Sequence, residues 1–147
     1  MTETDLKLLI SMYQNCKIAI QSIHDIIPKV NNMDLLKELK NQYDEYLNLS
    51  TKYLNYAHRK EQVLPDNNII EKTKLWMSIK MATIFNKSTR HLAEMLLLGT
   101  VMGTLQCYKD LSDHSTATPE LLDMCKDLLN LQEKYFENYK VFLRDIK

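Results

Sequence analysis

Residues 5–27, DLKLLISMYQNCKIAIQSIHDII, place Leu6, Leu9, Tyr13, Cys16, Ile20, Ile23 and Ile27 at alternating spacings of three and four. That spacing keeps the apolar side chains on one side of a helix and makes a seam suited to neighbours running nearly parallel to it. Thr4 offers a hydroxyl cap, and Asp5 suits the positive end of the helix dipole. Pro28 lacks a backbone donor and disfavours helical geometry at Ile27, so the helix is predicted to stop there.

The same reading extends along the chain. Asn31 or Asn32 caps a second helix reaching to about Arg59, with a seam of Leu36, Leu39, Tyr43, Tyr46, Ser50, Tyr53 and Ala57, widened by Leu35, Leu47 and Leu54. So short a connection makes these two helices antiparallel neighbours. Residues 60–68 break the pattern with Pro65, Asp66, Asn67 and Asn68. The stretch from 69 to 113 reads as helical but as one rod would run roughly 60 Å or more. It is therefore divided near Phe85–Ser88, where Asn86 or Ser88 can start a new helix, into a short helix over 69–84, carrying Trp76, and a third long helix over 88–111.

That third helix is apolar on nearly every side from Leu92 to Leu105, which predicts burial all round. Gly99 and Gly103 lie four apart on one face and predict a close approach by a neighbour. The last helix starts at Pro119 with Thr118 as cap and runs to the end, on a seam of Leu121, Cys125, Leu128, Gln132, Tyr135, Tyr139, Phe142 and Ile146. Gln132 is the polar residue on that seam, and bonding inside the bundle is expected of it. The fold class is all-α: an antiparallel four-helix bundle with one extra short helix before the third long helix, in a single domain spanning 1–147.

Composition agrees. Two glycines and three prolines are too few for the many turns of a sandwich or barrel. Nineteen basic residues balance nineteen acidic ones, so no strong field draws nucleic acid or an anionic membrane. No apolar run reaches the roughly 18 residues that span a bilayer. The first residues, MTETDLKLLI, are acidic and polar rather than signal-like, and a cytoplasmic location is expected. Three cysteines without a C-x-x-C spacing read as free, buried thiols.

Helical bundles often hold two metal ions on glutamates and Glu-x-x-His pairs, because a spacing of three puts both groups on one helix face. No Glu-x-x-His occurs here. His91 and Glu94 come closest, in reversed order, and with Glu45 and Glu133 they make the candidate set for an atypical iron or manganese site. Nucleophile elbows and phosphate loops lack their glycines, and no catalytic residue is assigned. A small-molecule pocket lined by Tyr43, Tyr46, Trp76 and Met95 is a further reading.

The run Met77-Ser78-Ile79-Lys80-Met81, then Asn86-Lys87-Ser88-Thr89-Arg90-His91-Leu92-Ala93-Glu94-Met95 and Gly99-Thr100-Val101-Met102-Gly103, resembles a family of small proteins from Gram-positive, often anaerobic, bacteria. The helices of that family resemble the ferritin-like superfamily. Leu131-Gln132-Glu133-Lys134-Tyr135 is similar to the last ferritin-like helix, with Phe136 where a ligand histidine would stand. The resemblance implies the ferritin-like fold and brings no activity with it. The leading expectation is a non-catalytic module without a cofactor. It works by protein–protein contact, as a homodimer through Gly99, Gly103 or Trp76. The alternative is a ferritin-like metal protein.

Overall fold

The computed structural model describes residues 1–65 and 88–144. Among the described residues there are four α-helices and no strand: α1 (Glu3–Ile26), α2 (Met33–Arg59), α3 (Thr89–Asp113) and α4 (Pro119–Leu143). The expected short helix over 69–84, Trp76 with it, and Ile146 lie outside the described residues.

α1 starts two residues earlier than expected, at a cap formed by Thr2 rather than Thr4. The Thr2 hydroxyl accepts from the Asp5 N–H at 3.0 Å, and the Asp5 carboxylate accepts from the Thr2 N–H at 3.4 Å. A reciprocal box needs an acceptor three residues after the cap. Thr2 has Asp5 there, whereas Thr4 has Lys7, a donor. The α-helix ends at Ile26, one residue before the predicted stop, but Ile27 keeps helical geometry (φ −49°, ψ −45°) and Pro28 lies within a 3-10 turn at Ile27–Lys29, so Pro28 acts by its missing N–H rather than by driving Ile27 out of the helical region. Asn32 then caps α2, its side-chain oxygen accepting from the Leu35 N–H at 2.9 Å. α2 closes where Glu61 turns left-handed (φ 56°), letting the Gln62 N–H reach the Ala57 carbonyl at 2.8 Å.

Ser88 caps α3 by accepting from the His91 N–H at 3.2 Å. Pro119 sits in the first turn of α4, but the Thr118 hydroxyl does not cap it. It donates to Asp5 at 2.8 Å, and the Thr118 N–H donates to the same carboxylate at 2.7 Å. One carboxylate thus serves the start of α1 and pins the start of α4 to it.

The core joins the inward sides of all four helices. Tyr46, Tyr53, Tyr56, Tyr135 and Tyr139 are its largest buried side chains. Tyr46 and Tyr135 meet edge to face, with ring centres 5.4 Å apart. The seams are wider than the strict spacing suggests. α1 also buries Leu8, Met12 and Ile26, and α2 buries Gln42 and Tyr56, while Leu47 and Leu54 stay exposed.

The prediction that α3 is buried all round is corrected. Leu92, Ala93, Leu96, Thr100, Cys107 and Asp110 are buried, whereas Leu98, Met102, Leu105 and Tyr108 are each more than half exposed. Apolar residues reveal which side is inward only when polar ones mark the outward side, and this helix lacks that contrast.

The two glycines also part company. A side-chain carbon on Gly103 would collide with the Gln132 amide and press the Asn15 oxygen, so the predicted close approach is real there. At Gly99 it would meet nothing within 4 Å among the described residues. Gly103→Ala is therefore expected to destabilise the protein by about 1–2 kcal/mol, overpacking outweighing the gain in helix propensity. Gly99→Ala is expected to stabilise it by roughly 0.5–1 kcal/mol. Urea unfolding of the two variants reads the contrast, and shifts of the same sign would contradict it.

Candidate functional site

Two regions carry the residues singled out by the sequence: a polar seam inside the bundle and the outward side of α3.

The inner seam centres on Gln132. Its amide nitrogen donates to the Asn15 side-chain oxygen at 2.9 Å, and its oxygen accepts from the Cys107 thiol at 3.5 Å. Asn15 in turn donates to the Gly103 carbonyl at 3.1 Å. This is the internal bonding expected of Gln132. Asn15, its partner on α1, is off the seam spacing and was not legible. Toward the other end, the Tyr139 hydroxyl donates to Gln42 at 2.7 Å, and Tyr135 donates to Glu45 at 2.9 Å.

The three thiols are free and buried, as expected. Burial pushes the Cys16 thiol up to about 12, with the neighbouring Tyr53 hydroxyl offsetting part of the rise. The hydrogen bond with Cys125, and then burial, push Cys107 far above its ordinary value. Burial likewise raises Tyr46, Tyr53, Tyr135 and Tyr139. Thiols and phenols held protonated in this way are packing groups at neutral pH. Cys107, Cys125, Tyr135 and Tyr139 donate hydrogen bonds.

The candidate ligands Glu45, His91, Glu94 and Glu133 are not brought together. Glu45 is held at the α2–α4 seam by Tyr135 and by Asn41 at 2.8 Å. Glu133 is held on the α3–α4 side by the Tyr108 hydroxyl at 2.7 Å. His91 and Glu94 are neighbours, 4.0 Å apart, but Glu94 is already paired with Arg90 at 3.2 Å. Among the described residues no three His, Cys, Asp or Glu side chains converge as a metal site requires. Reversing the Glu-x-x-His order at the start of α3 gives an exposed local pair, not an inward ligand pair.

Of the residues expected to line a small-molecule pocket, Tyr43 and Met95 are partly buried against the core, Tyr46 is buried with its hydroxyl against the Gln132 amide, and Trp76 lies outside the described residues. A groove of about 380 Å³ runs between α3 and α4, lined by Val101, Thr104 and Tyr108 on one side and Glu133, Phe136 and Glu137 on the other.

The outward side of α3 is the larger feature. Leu98, Met102 and Leu105 are 62%, 58% and 54% exposed. At spacings of four and three they form one stripe along the helix. Arg90 and Glu94 precede it, and Lys109 and Asp113 follow it, all accessible to solvent. The groove flanks this stripe through Val101 and Tyr108. Among the described residues no helix is long and apolar enough to cross a membrane, so the stripe is not part of such a span.

Comparison with known protein families, curated proteins and solved structures gives no match for this chain.

Proposed function

We propose that the chain is a non-catalytic, antiparallel bundle of ferritin-like type that works through protein–protein contact, with the outward stripe of α3 as its contact surface. The observation that carries this is the exposure of Leu98, Met102 and Leu105 on one face of one helix. Grouped large apolar residues keep a surface patch in water at a cost that a partner removes. The antiparallel course is supported by cross-helix bonds whose numbers rise on one helix as they fall on the other. Ser11 bonds Asp110 while Asn15 bonds Gly103, and Gln42 bonds Tyr139 while Glu45 bonds Tyr135. The buried free thiols fit a reducing, cytoplasmic compartment.

Hydroxyl-radical footprinting tests the contact surface. Oxidation of Met102 is expected to fall about fivefold when the dilute protein is either concentrated or placed in an extract of the cells that make it, while Val63, exposed in the segment after α2, keeps its rate. Unchanged oxidation of Met102 in both settings would sink the proposal.

A further inference from the structure

We infer that the partner at this stripe is a second copy of the chain, with the two α3 helices packed in opposite directions about a two-fold axis between Val101 and Met102. This rests on the reading of the stripe as a contact surface and names what covers it. The order of the exposed residues is the reason. Reversing the helix about that point brings Leu98 to the partner's Leu105 and Val101 to the partner's Met102. The same reversal brings Glu94 to the partner's Lys109 and, at the outer edge, Arg90 to the partner's Asp113. Each level thus pairs apolar with apolar or opposite charges.

A two-fold interface uses one patch twice, so the patch must complement its own reversal. The stripe meets that condition at every level named. Running the two helices in the same direction would instead oppose Glu94 to the partner's Glu94 and Lys109 to the partner's Lys109, so the charges also specify direction. Gly99 and Gly103 do not form this interface. Gly103 is closed off by Gln132 and Asn15, and Gly99, which is exposed, lies to one side of the stripe. One helix-on-helix seam of this length buries roughly 1,000 Å², near the lower end for a specific pair. The dimer is therefore expected to dissociate in the micromolar range.

Sedimentation of the full chain across a concentration series is the test. Wild type is expected to pass from monomer to dimer. Leu98→Glu is expected to remain monomeric. Glu94→Lys and Lys109→Glu are each expected to weaken the dimer about tenfold, and the Glu94→Lys/Lys109→Glu double variant to regain most of the loss. All three positions are solvent-accessible, and unchanged helical circular dichroism checks that each variant folds. A wild type that stays monomeric at the highest concentration overturns self-pairing, as does a dimer indifferent to Leu98→Glu. A dimer lost in both single variants and not regained in the double overturns the antiparallel register. If self-pairing fails while Met102 is still protected in cell extract, the contact function stands with a different partner. If that protection is absent too, both readings fall.

Discussion

Gln132→Leu is expected to lower stability by about 3 kcal/mol, measured by urea unfolding, with a fall in Tm of about 10 °C. The substitution nearly preserves volume, so the loss comes from polar groups left behind. The Asn15 oxygen loses its donor and the Cys107 thiol its acceptor, and the Tyr46 hydroxyl is left against a hydrocarbon. A buried polar atom without a partner costs about 1–3 kcal/mol. Asn15→Leu alone is expected to cost a similar amount. The Asn15→Leu/Gln132→Leu double variant is expected to lose about 1–2 kcal/mol less than the sum, because removing both partners removes the orphan. Strict additivity would show that the bond across the core contributes nothing.

Asp5→Ala is the second large effect, at about 3 kcal/mol. The carboxylate is buried and accepts from Thr118 twice and from Thr2 once. Its loss removes the carboxylate half of the reciprocal cap and leaves the Thr118 N–H unsatisfied at the start of α4. Burial acts to raise its pKa, but the bonds from Thr118 and Thr2 outweigh it and hold the pKa below the ordinary aspartate value. A depressed pKa means that the ion is worth more in the folded state. That stability is present above the unfolded value near 3.9 and is lost as pH falls through the lower folded value. Wild type should therefore lose stability in acid more steeply than Asp5→Asn.

Asp110 acts in the opposite sense. Burial raises its pKa, and the bonds from Ser11 at 2.7 Å and Gln106 at 3.0 Å only partly oppose that. Its contribution is present at low pH and declines as pH rises from the aspartate range through its raised folded value. Asp110→Asn should flatten that decline while leaving the acid limb. Stability against pH for the two asparagine variants separates the carboxylates, and identical profiles would contradict the assignment.

The helices were legible because their ends carry local chemistry. Asn32, Ser88, Pro28 and Pro119 act within a turn of their own positions, and a turn is a sequence-local object. Thr2 was passed over for Thr4 because the deciding residue is the box partner Asp5, not the hydroxyl itself. The candidate ligands read differently once folded. Glu45 and Glu133 look alike in sequence, but they bond to Tyr135 and Tyr108 on different sides of α4.

The sequence by itself determined that this protein is helical, where most of its helices begin and stop, that its thiols are free, and that Gln132 turns inward. Those properties follow from dihedral preference, capping and periodic burial, which depend on neighbours a few residues away. Only the tertiary structure decided which side of α3 faces water, that Asn15 answers Gln132, and that Asp5 ties α1 to α4. Each of these depends on residues far apart in the chain. On a helix apolar on nearly every side, periodicity carries no information about which way is in.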